Sequence, residues 1–137
     1  MKGYLIWRIN PESRTIAPLR LDKWRKNFAL DIQRICRASH LGHMKVCDVD
    51  EKPLMLAANA RAEEGQPGFR FKGCSPDVTA GIGVLFGMNE QGGLVGVPVN
   101  REWVLQHIVW TSAEEADADR PDEPEVIREG EDANGGA

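Results

Sequence analysis

The stretch "TAGIGVLFGMNEQGG", Thr79 to Gly93, decides how this chain is read. Gly81, Gly83 and Gly87 stand close together in it, as glycines do in phosphate-cradling loops. A P-loop reads GxxxxGK[ST], and no Lys-Ser or Lys-Thr pair is present here. A dinucleotide fingerprint requires GxGxxG between a strand and a helix. The spacing here is GxGxxxG, and no helical pattern follows. "IGVLFGM" is instead apolar and β-branched, and "NEQGG" is a turn signal. The stretch therefore reads as a strand whose glycines let another element come close or permit a bulge.

Working outward, the pattern is that of a small α+β domain. "YLIWRI" and "RTIAPL" flank an Asn-Pro turn and read as a β-hairpin, with Pro18 marking an edge strand. Trp24, Phe28, Ile32, Ile35 and Cys36 recur at helical spacing, which predicts one main helix over about 22–38. Asp22 is its expected N-cap, and Gly42 is available for a left-handed C-terminal turn. "HMKVCDVD", "LMLAANA" and "FRFKG" read as strands, and "CSPDVT" as a loop. Asn100 caps a short helix over about 101–105, and "HIVWT" closes the body as a strand. Helix and sheet then cover one another around a mixed or antiparallel sheet.

Charge divides the chain. Residues 112–137 carry ten acids against Arg120 and Arg128, a net charge of -8 in a chain whose total is -4. The preceding body is correspondingly basic. The acidic segment has little apolar surface to offset the entropy of ordering, so it is expected to be a disordered tail beginning at Ser112, after a single domain over 1–111. No apolar run approaches the roughly 20 residues of a membrane span. The N-terminus lacks the apolar length of an export signal, and three cysteines show no pairing pattern. A cytoplasmic protein with free thiols is the expectation.

"LIWRINPESRTI", "GFRFKG" and "AGIGVLFGMNEQG" resemble a family of small proteins of unknown function from bacteriophages, plasmids and other mobile DNA. Asn10, Pro11, Glu12, Arg14 and Thr15 match its opening turn, with Asn10 in place of an acid. Ala80, Gly81, Gly83, Val84, Gly87 and Gly92 match its late strand. The likeness spans about residues 3–110 and implies an accessory role, with no catalytic residue.

Candidate sites are few. Cys36, His40, His43 and Cys47 are zinc-compatible types in a CxxxHxxHxxxC run, but zinc sites pair ligands on a knuckle, and no metal is assigned. Cys74 has only the distant His107 as a base, so no nucleophile is assigned. No cofactor motif is present. Arg8, Arg14, Arg20, Lys23, Arg25, Lys26, Arg34 and Arg37 cluster along the first hairpin and helix, a candidate basic face for nucleic acid. Trp7, Trp24, Trp103 and Trp110 are candidate interface aromatics. The leading expectation is a non-enzymatic protein-interaction module, the alternative a nucleic-acid-binding accessory protein. Sheet edges in so small a domain also predict a homodimer.

Overall fold

The computed structural model describes residues 3–22 and 27–118. Nine strands and three short helices follow in the order β1 (Gly3–Asn10), β2 (Thr15–Asp22), α1 (Phe28–Cys36), β3 (Leu41–Val49), β4 (Lys52–Asn59), β5 (Gly68–Phe71), β6 (Ser75–Ala80), β7 (Gly83–Met88), β8 (Leu94–Val95), α2 (Arg101–His107), β9 (Ile108–Thr111) and α3 (Ala113–Ala118). The fold is α+β, with every strand pair antiparallel. The larger sheet runs β2-β1-β7-β4-β3, with β8 added against β7. The smaller runs β6-β5-β9.

The glycine-rich stretch is β7, at the centre of the larger sheet. Leu85 pairs with Trp7 of β1 on one side and Leu56 of β4 on the other. Gly83 through Gly87 are all buried. Alternation gives this strand two unlike faces. Val84 and Phe86 join Ile6, Met55 and Ala57 in a core beneath α1. Leu85 joins Trp7, Ile9, Leu54 and Leu56 in a second core that the smaller sheet closes with Phe69 and Phe71. Gly83 and Gly87 share the face of Leu85. A Cβ on Gly83 would meet the Phe69 ring at 2.7 Å, and one on Gly87 would meet the Gly96 carbonyl oxygen at 2.3 Å. Close approach is therefore what these glycines provide.

The main helix is shorter than its apolar stripe predicts. Asp22 ends β2, and Asn27 is the N-cap, its Oδ1 accepting from Leu30 N–H at 3.1 Å. Residues 23–26 lie outside the described residues. Arg37 supplies the left-handed C-terminal turn at φ 54°, donating to the Arg34 carbonyl, with Ala38 N–H on Gln33 O. Gly42 instead lies within β3. Ile32 and Cys36 bury the inner face of α1.

Two further expectations need correction. "CSPDVT" belongs largely to a strand, β6. Pro76 is tolerated because β6 is the outer strand of its sheet, where one row of backbone groups needs no ladder partner. The chain is also not unstructured from Ser112. Ser112 Oγ accepts from Glu115 N–H (3.1 Å) while Glu115 Oε1 accepts from Ser112 N–H (2.8 Å), a reciprocal capping box that starts α3. Ala116 is buried against β5, β6 and β9, and Asp117 takes the Gly65 N–H. The body thus extends past residue 111 through Ala118. The rest of the acidic segment lies outside the described residues.

Two substitutions check this arrangement by denaturant unfolding. Gly87→Ala drives a methyl into backbone that cannot yield and should cost about 1–3 kcal/mol. Ser112→Ala removes the cap of α3 and should cost about 1 kcal/mol.

Candidate interaction surface

A concave feature with a largely apolar lining forms where the two sheets part. The smaller sheet packs over the middle of the larger one and meets the second half of β3 through Val46 and Cys47, but does not close over its first half. A groove of about 330 Å³ remains there, walled by Gly42 and Met44 of β3, Leu56 and Ala58 of β4, Ala80 of β6 and Ala116 of α3. Register explains the lining. Met44 pairs with Leu56, and Gly42 with Ala58, so all four share the inner face of the sheet. Met44 is 39% exposed, one of three large apolar side chains so placed among the described residues.

β3 is the terminal strand of its sheet, and its two halves differ. At its second half a bulge shifts the register between Lys45 and Cys47, and Lys45 Nζ pairs with Asp48 at 3.1 Å. Bulges and charges are the usual guards of an open strand edge. The first half, Leu41–Met44, is regular and lies beside the groove.

The bulge also re-aims a side chain. Strict alternation would turn Cys47 toward α1. The extra residue, Val46, returns it to the inner face, opposite Leu54. Desolvation by burial, followed by the neighbouring Cys74 thiol in the turn between β5 and β6, pushes the Cys47 thiol up to about 12.

The other candidates fall out as follows. Cys36, at the end of α1, faces the larger sheet, its Sγ 3.6 Å from the Ala57 carbonyl, and Cys47 is on the opposite side of that sheet. His40 Nδ1 meets Ser39 Oγ at 3.2 Å, and His43 is exposed on the α1 side, paired with Ala57. The sheet therefore separates the four zinc-compatible residues. Among the described residues no group of three or more His, Cys, Asp or Glu is arranged to hold a metal. His107 stacks on Trp103 at 4.0 Å and donates from Nδ1 to the Trp103 carbonyl, a packed role at a helix end.

The basic residues divide too. Arg8 pairs with Ala17 and Val84, on the α1 face. Arg20 pairs with Leu5, on the other face. Arg14 sits at the hairpin turn with φ 56°, and Arg34 and Arg37 are exposed at the end of α1. Lys23, Trp24, Arg25 and Lys26 lie outside the described residues. Among the aromatics, Trp7 is core, 7% exposed, with Nε1 donating to the Val99 carbonyl at 2.9 Å. It is not a surface anchor, because the alternation of β1 turns it between the sheets. Trp103 and Trp110 are half-buried, tilted against Phe71 and edge-on to Phe69. Sequence reasoning missed Met44, whose exposure depends on how far the smaller sheet reaches.

Comparison with protein-family models, curated proteins and solved structures gave no match. Among the described residues no helix is long and apolar enough to cross a membrane.

Burial of Cys36 has a measurable consequence. Desolvation pushes its thiol up to about 12 in the fold. The unfolded chain loses this proton first, so the stabilisation is complete below the ordinary thiol range and declines as pH rises toward 12. Unfolding free energy should fall above about pH 9 by up to about 1.4 kcal/mol per pH unit from this group. In Cys36→Ala that part of the slope should vanish.

Proposed function

We propose that this protein is a non-enzymatic interaction module that captures an extended peptide segment of a partner protein along β3. The observation that carries this reading is the coincidence of a regular outer strand, Leu41–Met44, with an apolar groove floored by the same strand and its neighbour. A peptide laid antiparallel or parallel to β3 gains main-chain hydrogen bonds, and its alternate side chains enter the groove beside Met44. The alanine-rich walls and the volume of about 330 Å³ suit one or two aliphatic side chains better than a helix face. Gly42 keeps the rim low. In keeping with the resemblance to mobile-element proteins, the partner would be a protein of the host or of the element.

The test is selection from a displayed peptide library on the full chain, followed by hydrogen exchange of the complex. Selected peptides should carry aliphatic residues at alternate positions and protect the Leu41–Met44 amides. Met44→Glu should weaken binding by about tenfold or more, since it places an unpaired charge at the apolar contact, while circular dichroism and melting stay near the parent. Protection elsewhere, or affinity indifferent to Met44→Glu, would overturn the reading. So would a dimer mass by light scattering with Leu41–Met44 already protected, which would give this edge to a second copy. Binding of DNA by the parent chain that falls with salt and survives Met44→Glu would favour the nucleic-acid alternative.

A further inference from the structure

We infer that the acidic segment after α3 docks in cis on the groove beside β3, with residues 124–128 laid along the first half of that strand. This docking rests on the groove being a seat for an extended peptide, and it fills that seat before a partner arrives.

The described body ends at the groove. Ala116 of α3 is one of its walls, and Ala60 and Ala62, from the loop after β4, are two others. The same loop holds the end of the helix, since Asp117 accepts the Gly65 N–H at 3.1 Å. The chain therefore leaves Ala118 within one helical turn of the groove wall. Val126 is eight residues further on, a reach of up to about 26 Å. Residues 41–44 span only about 13 Å of strand. No rearrangement of the body is needed to join the two.

The sequence supplies one fitting stretch. Residues 119–137 carry Val126 and Ile127 as their only large apolar side chains, within "PEVIR". In an extended segment alternate residues share a face. Pro124, Val126 and Arg128 then fall together, while Glu123, Glu125 and Glu129 fall on the other side with Ile127. The first face carries no acid. It sets the Pro124 ring and the Val126 methyls against Met44, Leu56 and Ala58, in a space of about 330 Å³. Pro124 lacks an N–H, which an outermost strand tolerates.

Tethering decides the occupancy. A segment joined by so short a connection is held at a local concentration on the order of millimolar. A contact with a Kd of about 0.1 mM, weak between separate molecules, is then closed in about nine chains of ten. A partner must displace this strand, so its apparent affinity falls about tenfold, in proportion to the open fraction. Capture of the partner in turn releases the acidic segment from β3.

The test uses the full chain, its full-length variant Val126→Asp and a synthetic peptide of residues 122–130. By hydrogen exchange, the outward amides of residues 41–44 should be protected in the monomeric parent and exchange about tenfold faster in Val126→Asp, following the open fraction. Ile127→Asp, which puts its charge on the side away from the groove, should leave them protected. The peptide should bind Val126→Asp about tenfold more tightly than the parent, where the tethered segment competes. Adding Met44→Glu to Val126→Asp should remove that binding, while circular dichroism and melting stay near the parent. Amides that exchange alike in the parent and Val126→Asp, or a peptide that binds both equally, would overturn the inference. If library-selected peptides still protect residues 41–44 in that case, the groove reading stands without it, and their failure as well would overturn both. Protection accompanied by a dimer mass in light scattering would also overturn it, giving the edge to a second copy.

Discussion

The fold depends on β7 being buried on both faces and hydrogen-bonded along both edges. One face, Val84 and Phe86, supports α1. The other, Gly83, Leu85 and Gly87, supports the smaller sheet and the chain after β8. A strand in this position has no side exposed to water, so it must be apolar throughout, yet it cannot be bulky throughout. Full-sized side chains at all three inner positions would hold the second layer away and leave voids, which close-packed interiors do not tolerate. Two glycines around one leucine resolve the conflict. Phe69 comes down on Gly83 and the Gly96 backbone on Gly87, so the second core closes around Leu85.

The smaller sheet inherits its position from that contact. Phe69 is fully buried, and its partners Phe71 and Trp110 meet it edge-on, so β5 is fixed over the middle of the larger sheet. The upper layer meets the second half of β3 through Val46 and Cys47 and leaves the first half, Leu41–Met44, beside the groove. α2 and the residue before its cap secure the other flank, through Arg101 Nε on the Ile16 carbonyl and Trp7 Nε1 on the Val99 carbonyl. α3 packs beside β5 and β6 and sets Ala116 at the groove wall. The groove is thus the uncovered remainder of a layer mismatch, kept apolar because its floor belongs to the same face as the core.

Much of this was legible in the chain. The absence of a Lys-Ser or Lys-Thr pair and of a following helix separates β7 from a phosphate loop, and the apolar, β-branched run "YLIWRI" and the Asn-Pro turn give the first hairpin. The stripe of α1 is plain, though its start was not, since Asp22 and Asn27 are equally good caps and only tertiary contacts choose between them. The disorder expected from Ser112 came from averaging charge over 26 residues. The local signal was present as Ser112-x-x-Glu115, a capping box with Ala116 on the apolar side. β6 was hidden because Pro76 and Asp77 argue against a strand, and an outer strand of a three-stranded sheet is where that argument loses force. The interaction surface was least legible. Hydrophobicity marks Met44 as a core residue, and its exposure follows from the width of a sheet elsewhere in the chain.

The bulge in β3 links these elements. An outer strand with unbroken alternation would present Cys47 toward α1 and Val46 toward the second layer, with a long regular edge open to any passing strand. One inserted residue changes two things together while Val46 stays buried, at 7% exposure: it turns Cys47 into the core shared by the two sheets, and it confines the regular edge to Leu41–Met44. The guarded half of β3 faces the β5–β6 turn, and the open half faces the groove. A single irregularity of register therefore divides one strand into a part that ties the layers together and a part left free to pair.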